Sequence, residues 1–191
     1  MQFTLQLPTD RVAQGEEFVS AEAIAEMARA TEQAGFDAAF VTDHPAPEDR
    51  WLASGGHQAL DPFVALSFVA AATTRLRVQT HVLVASYRNP FLAAKAIATL
   101  DVLSRGRVIV GLAAGYLEAE FAALGVDYAE RNERVIHILP ANVSRLIEAE
   151  KTQDAKARRI CDFLSGQTDG MVVRTYRRLF DPEFGSFRDL S

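Results

Sequence analysis

Apolar and polar positions along the chain switch repeatedly between a period of two and a period near 3.6. Phe3 to Leu7 alternates and stops at Pro8, which predicts a strand. Thr9 to Val19 is polar, contains Gly15, and reads as a loop. Ser20 then stands where a helix cap is expected, before a segment from Ala21 to Ala34 whose apolar face includes Ile24, Met27 and Ala28. Gly35 closes that helix. Phe36 to Thr42 predicts a second strand, and Asp43-His44-Pro45 follows it at once. Ala46 to Leu60 is a long polar loop. Asp61-Pro62 opens a helix to about Thr73, with the aspartate as cap and the proline in the first turn.

Arg75 to Ala85 is rich in β-branched residues (Val78, Thr80, Val82, Val84) and predicts a third strand. Asn89-Pro90 stops it, because proline lacks an N–H and fixes φ. Leu92 to Leu103 has apolar residues at helical spacing and is closed by Ser104-Arg105-Gly106. Arg107 to Leu112 is a short apolar run of the kind that a parallel sheet buries on both faces. The order is βαβαβαβα, which predicts right-handed parallel β/α units. Doubly wound sheets and TIM barrels share this order, and periodicity does not separate them. The glycine-rich dinucleotide fingerprint is absent after the first strand, which weighs against the doubly wound fold. From Ile136 to Leu190 no strand pattern occurs. Ala141 to Glu150, Thr152 to Leu164 and Gly170 to Phe180 read as helices.

Composition narrows the function classes. The 191 residues are 49% hydrophobic, enough for a sizeable core, and carry a formal net charge of −5, so no basic footprint for nucleic acid exists. Cys161 is the single cysteine, which excludes an internal disulfide and a cysteine-rich metal site and is compatible with a reducing cytosol. The N-terminus has no basic region followed by an apolar stretch, and no window is long and apolar enough to span a membrane. A cytoplasmic protein without membrane or nucleic-acid partners is expected. The four histidines show no metal-ligand spacing, and no nucleophile elbow or P-loop occurs.

The string YRNPFLAAKAIATLDVLSRGRVIVGLAAGYLEAEFAALGV, Tyr87 to Val126, resembles the luciferase-like family of flavin and deazaflavin oxidoreductases. The resemblance lies in the Arg88-Asn89-Pro90 turn, the following helix through Thr99-Leu100-Asp101 and Ser104, and the strand that runs into Gly115-Tyr116, Glu120-Phe121 and Leu124-Gly125. It covers roughly Gln2 to Arg134. It implies a partial TIM barrel, the first four units of a (β/α)8 barrel over residues 1–134, with a helical tail over 135–191. The segment Arg158 to Asp181 is similar to the C-terminal end of bacterial deoxyguanosine triphosphate triphosphohydrolases, whose metal cluster has no counterpart here.

The family resemblance also implies chemistry. The expected activity is hydride transfer between a small organic substrate and a deazaflavin coenzyme, with FMN as the alternative and monooxygenases among the relatives. Asp43-His44 matches an Asp-His pair beside the flavin ring, so His44 is expected to be catalytic, as proton donor or ring-positioning group, with Asp43 orienting it. Without the resemblance, His44 reads as a strand-end residue capping a loop. Val84, Ala85, Ser86 and Arg88 are expected near the coenzyme, the arginine against phosphate; an ordinary turn with a solvated arginine is the other reading. Gly111, Ala113 and Gly115 either shape the pocket or serve tight strand-to-helix packing. A glutamate of some deazaflavin enzymes is replaced by Tyr116. Glu118 and Glu120 read as structural carboxylates at a helix start. Trp51 and His57 either form a lid or pack on the barrel rim. His81 reads as a core or interface residue, and His137 is assigned nothing. A second hypothesis makes the chain a non-catalytic half-barrel that self-associates through open sheet edges, with the tail as an interaction module. Either way a homo-oligomer is expected.

Overall fold

The computed structural model describes residues 2–136, 145, 148–152 and 155. Four strands, β1 (Thr4–Gln6), β2 (Ala38–Val41), β3 (Arg77–Val84) and β4 (Val108–Ala113), form one parallel sheet in the order β1-β2-β3-β4. Neighbours in sequence are neighbours in space throughout. A doubly wound sheet reverses direction after its first strands, whereas a barrel adds each strand on the same side. The strand order therefore fixes the partial-barrel class that periodicity left open.

The helices are α1 (Glu16–Val19), α2 (Ala21–Gln33), α3 (Asp49–Ala53), α4 (Pro62–Ala72), α5 (Pro90–Ser104), α6 (Glu118–Ala123) and α7 (Arg131–Ile136). Three of the long ones begin on side-chain caps. The Ser20 hydroxyl accepts the Ala23 N–H (3.1 Å), the Asp61 carboxylate those of Phe63 and Val64 (2.9 and 3.0 Å), and the Asn89 carbonyl those of Phe91 and Leu92 (3.0 and 3.3 Å). Each cap satisfies amide donors that the helix itself cannot. Asn89 thus does more than stop β3; it starts α5. The two short helices α1 and α3 lie in segments that read as loops, because neither four nor five residues carry a measurable apolar period. The helices expected over Ala141–Glu150, Thr152–Leu164 and Gly170–Phe180, and the triphosphohydrolase-like segment, lie outside the described residues apart from isolated positions.

The core sits between one face of the sheet and α2, α4 and α5. Ala39, Val41, Val78 and Val108 from the strands meet Ile24, Ala28, Leu66, Val69 and Leu100 from the helices. The opposite face carries the lateral row Gln6, Phe40, Gln79 and Ile109, aligned by strand register. His81 belongs with this face. It is exposed, with its ring 4.7 Å from that of Phe40, so it is not a core residue.

Two charged side chains lock the N-terminal ends of the strands. The Glu32 carboxylate accepts the N–H groups of Thr74, Arg75 and Leu76 (3.0, 2.6 and 2.8 Å), tying the end of α2 to the entry of β3. Arg107, just before β4, donates to the carbonyls of Ala70, Leu76, Thr73 and Ser104 (2.8, 2.7, 3.2 and 2.7 Å) and to the Thr73 hydroxyl (2.9 Å). A single guanidinium so satisfies carbonyls at the end of α4 that have no helical partner.

At the other end of β3 the pairing slips. Thr80 pairs with Val110, but Leu83 pairs with Leu112, so β3 carries one residue more than β4 across this interval. The His81–Val82 peptide within it is cis. Gly111 lies opposite, where a Cβ would fall 2.6 Å from the Thr80 carbonyl oxygen. The Thr80 hydroxyl bridges the Gly111 carbonyl (3.0 Å) and N–H (3.1 Å).

Arg107→Ala leaves several buried carbonyls without a donor and is expected to cost about 3 kcal/mol. The urea midpoint should fall with an unchanged slope; an unchanged midpoint would show that water replaces the guanidinium.

Candidate functional site

The C-terminal ends of β2, β3 and β4 converge on two buried carboxylates. The first is Asp43, two residues past β2 and 3% exposed. Its Oδ2 accepts the Val84 N–H at 2.9 Å, and the Arg88 guanidinium grips both oxygens at 2.5 and 2.8 Å. Arg88 also reaches Asp61 (3.5 Å) and lies over the Phe63 ring. Burial alone would lower the Arg88 pKa; the Asp43 hydrogen bonds and the charges of Asp43 and Asp61 outweigh it and raise it. The cluster is a bidentate pair of the kind that fixes geometry as well as charge.

The second carboxylate is Glu120 in α6, which is fully buried. Its Oε2 accepts from the Tyr87 hydroxyl at 2.8 Å and meets His44 Nδ1 at 3.2 Å; its Oε1 accepts the Ala46 N–H at 3.2 Å. Burial pushes its pKa up. The hydrogen bonds from His44, Tyr87 and Ala46, with the His44 charge, outweigh burial and hold it below the ordinary glutamate value. Tyr87 is pushed the other way, far above the ordinary phenol, by burial and then by the bond to Glu120. It therefore remains a donor. Glu120 is a carboxylate that only accepts, so His44 Nδ1 carries the proton. The divergent geometry of the imidazole directs Nε2 away from Glu120, and in the neutral ring that nitrogen carries no hydrogen.

Around His44 stands a cup of rings. Trp51 of α3 lies 4.6 Å from it, tilted by 36°; His57 lies 4.9 Å away, edge-on at 87°; Tyr116, after β4, lies 6.1 Å away. The Trp51 ring is seated against Gly56, where a Cβ would come within 2.4 Å of the indole. Trp51 and His57 are half-buried, Tyr116 is 62% exposed, and the His44 side chain is 10% exposed. The arrangement sets three aromatic rings around one imidazole.

A family model described as luciferase-like monooxygenase matches residues 1–155. The chain belongs to that family. The match continues past Arg134, where the motifs read from the sequence end. The F420-dependent glucose-6-phosphate dehydrogenase of Amycolatopsis mediterranei is 38% identical over 112 residues, 58% of this chain and 32% of the relative. The luciferase-like chain thus spans about a third of that relative's length. The crystal structure of the monooxygenase RslO1 from Streptomyces bottropensis superposes with a TM-score of 0.60 at 26% identity, covering 79% of this chain and 44% of that one. An F420-dependent secondary alcohol dehydrogenase in complex with an F420-acetone adduct has a TM-score of 0.55 at 23% identity, over 78% and 42% of the two chains, and shares the fold.

Within this luciferase-like chain the residues singled out in the sequence come together only in part. His44 stands in the floor of the cup, but its orienting carboxylate is Glu120; Asp43 instead binds Arg88 and the Val84 amide. Arg88 is correspondingly committed to aspartates, against the expectation of a phosphate contact. Val84 packs with Tyr87 and Phe121. Ala85 opens a single 3-10 turn, and the buried Ser86 hydroxyl donates to the Ala114 carbonyl at 2.5 Å. Ala113 ends β4 and is half-buried. Gly115 has φ +86°, and a Cβ there would meet Val84 and Phe121 side chains at 2.7 and 3.0 Å. Both Gly111 and Gly115 are thus demanded by the protein's own packing. The residue that sequence reasoning left as structural is Glu120; the signal for it was a glutamate directly before Phe121 in an otherwise apolar turn. Among the described residues no group of three or more histidine, cysteine, aspartate or glutamate side chains forms a metal site, and no helix is long and apolar enough to cross a membrane.

Glu120 has a folded-state pKa below its unfolded one, so its stabilising contribution is complete above the unfolded value and fades as pH falls through the folded one. The difference in melting temperature between the wild type and Glu120→Gln should be largest near neutrality and close below about pH 4; parallel curves would contradict it. Gly56→Ala should displace the Trp51 ring. Because Trp51 is the only tryptophan, a red shift of intrinsic fluorescence reports this directly, and an unchanged spectrum counts against the packing described.

Proposed function

We propose that this chain provides the coenzyme-side half of a hydride-transfer site that works between a small organic substrate and a deazaflavin coenzyme. The observation that carries the reading is His44: a nearly buried imidazole whose Nδ1 is held by a buried carboxylate, whose Nε2 points away from it, and whose ring is bordered by aromatic side chains at the C-terminal ends of parallel strands. Catalytic groups in barrel folds gather at that end. The family membership and the name of the Amycolatopsis relative favour the deazaflavin; FMN is the alternative.

The residues present fit such a group in kind. Trp51 and Tyr116 offer flat walls to a planar ring, and Tyr116 is free to meet a bound molecule. The coenzyme, when bound, supplies the hydride acceptor or donor. The chain's own part is to hold and move the proton. With Nδ1–H fixed on Glu120, His44 Nε2 accepts a hydroxyl proton from an alcohol or hemiacetal as its carbon is oxidised, and returns it in the reverse direction. The Glu120 carboxylate stabilises the imidazolium that results. Asp43 and Arg88 are positioning residues: they fix the turns from which His44 and Tyr87 project.

A second reading concerns assembly. The edge strand β1 is exposed along its whole length, with Phe3 and Leu5 uncovered, and Val64, Phe68, Phe91, Leu92, Val102 and Leu103 are exposed on α4 and α5. Surfaces of this kind favour association. A homo-oligomer follows from this reading, and sedimentation of a well-folded monomer would sink it.

Titration of the purified chain with the deazaflavin and, separately, with FMN is expected to show saturable fluorescence quenching in the micromolar range for one of them. His44→Ala should keep that affinity within a few-fold and lower kcat by roughly 10²–10⁴. Normal turnover by the variant would remove the role given to His44.

A further inference from the structure

Beyond His44, one group of the cup has no role in the proposed reaction: His57. Its Nδ1 lies 2.9 Å from the backbone carbonyl of Gln58. A carbonyl oxygen only accepts, so His57 Nδ1 carries the hydrogen, and its Nε2 is an unprotonated base in the neutral ring. His44 is in the same state for the same reason, with Glu120 as acceptor. Two imidazoles thus stand edge to face with centroids 4.9 Å apart, each with its Nδ1 hydrogen occupied and its Nε2 available. A free histidine side chain carries its proton mainly on Nε2, so the protein imposes the other tautomer twice at one site.

Their hydrogen-bond partners differ in a way that gives the pair a direction. The His44 side chain is 10% exposed and stands over a fully buried carboxylate. His57 is half-buried, on the loop that follows α3, and its hydrogen-bond partner is exposed backbone. A proton taken up at His44 has no open route through Glu120, which is enclosed by Tyr87 and Ala46. His57, in ring contact with His44 and on a loop whose Gly55 and Gln58 are exposed, is the neighbouring base that can carry it onward.

We propose that His57 is a proton-relay residue that connects His44 to solvent. The inference rests on the oxidoreductase reading above. As an alcohol or hemiacetal carbon gives up its hydride to the bound deazaflavin or flavin, its hydroxyl proton passes to His44 Nε2 and the carbon–oxygen bond becomes a carbonyl. The imidazolium of His44 then gives that same proton to His57 Nε2 through one water, and His57 releases it to bulk water or buffer. Both rings end neutral, and one hydride and one proton have left the substrate. The charged and titratable groups facing the pair are Glu120 from α6 and Tyr116 from the loop after β4; Trp51 of α3 contributes an uncharged wall. Tyr116 is pushed above the ordinary phenol by burial and by the Glu120 charge, so it does not compete as a base at neutral pH.

The test uses the full chain. Nitrogen-15 correlation spectra at alkaline pH should show both His44 and His57 with hydrogen on Nδ1. Coenzyme affinity is measured by fluorescence, and turnover with a panel of small secondary alcohols and hemiacetals is measured in weak and strong buffer. His57→Gln is expected to bind coenzyme as the wild type does, to keep His44 Nδ1–H, and to turn over about 100-fold more slowly in weak buffer. Added imidazole should restore most of that rate. A slow variant that imidazole does not rescue, an unchanged rate in weak buffer, or hydrogen on Nε2 of His57 each overturns the relay while leaving coenzyme binding intact. Failure of the wild type to bind either coenzyme overturns the oxidoreductase reading itself, and the relay with it.

Discussion

Glu120 is enclosed completely, and three donors from two different segments end on it: the His44 ring, the Tyr87 hydroxyl and the Ala46 amide. A charge taken out of water is costly unless it is met by hydrogen bonds of good geometry. Here the donors come from the loop between β2 and α3 and from the turn after β3, while the acceptor comes from the helix after β4. The constraint therefore works across the sheet. None of the three strand ends can shift without leaving a buried carboxylate short of a partner.

Asp43 shows the other way of burying a carboxylate. It is neutralised by a guanidinium in bidentate contact and by a single amide. The two groups are neighbours in the same end of the sheet, yet their roles separate cleanly. The aspartate is spent on an arginine, so it is electrically quiet and holds shape. The glutamate has only neutral or titratable donors, so its charge remains available to an imidazolium. That difference explains why the residue adjacent to His44 in sequence is not the one that governs its chemistry.

Much of this was legible along the chain. The strand and helix order, the caps at Ser20 and Asp61 and the helix stop at Gly35 are local signals, and the structure reproduces them. His44 was singled out through the family resemblance alone, because a histidine directly after a strand otherwise reads as a loop cap. What was not visible depends on separation. Glu120 lies 76 residues from His44, and a carboxylate near a helix start carries an equally good local explanation. Arg88 looked like a free cation because its two aspartates are distant in sequence. Gly111 and Gly115 looked like space for a ligand because the sequence does not reveal that Thr80, Val84 and Phe121 already occupy it. Pairing partners across a sheet, not propensities within it, decide these cases.

The additional residue in β3 has a consequence for the whole design of this strand. Side chains alternate strictly between the two faces of a sheet, so one inserted position inverts the assignment of everything after it. Val78 is read in one frame and buries itself under the helices; Val84 is read in the other, lies against Tyr87 and Phe121, and presents its amide to Asp43. One strand thereby serves two masters, a hydrophobic layer for its first half and a polar cluster for its second. A single-residue deletion between Thr80 and Leu83 would keep the composition of the strand nearly intact and yet exchange inside for outside at the end where the chemistry is expected.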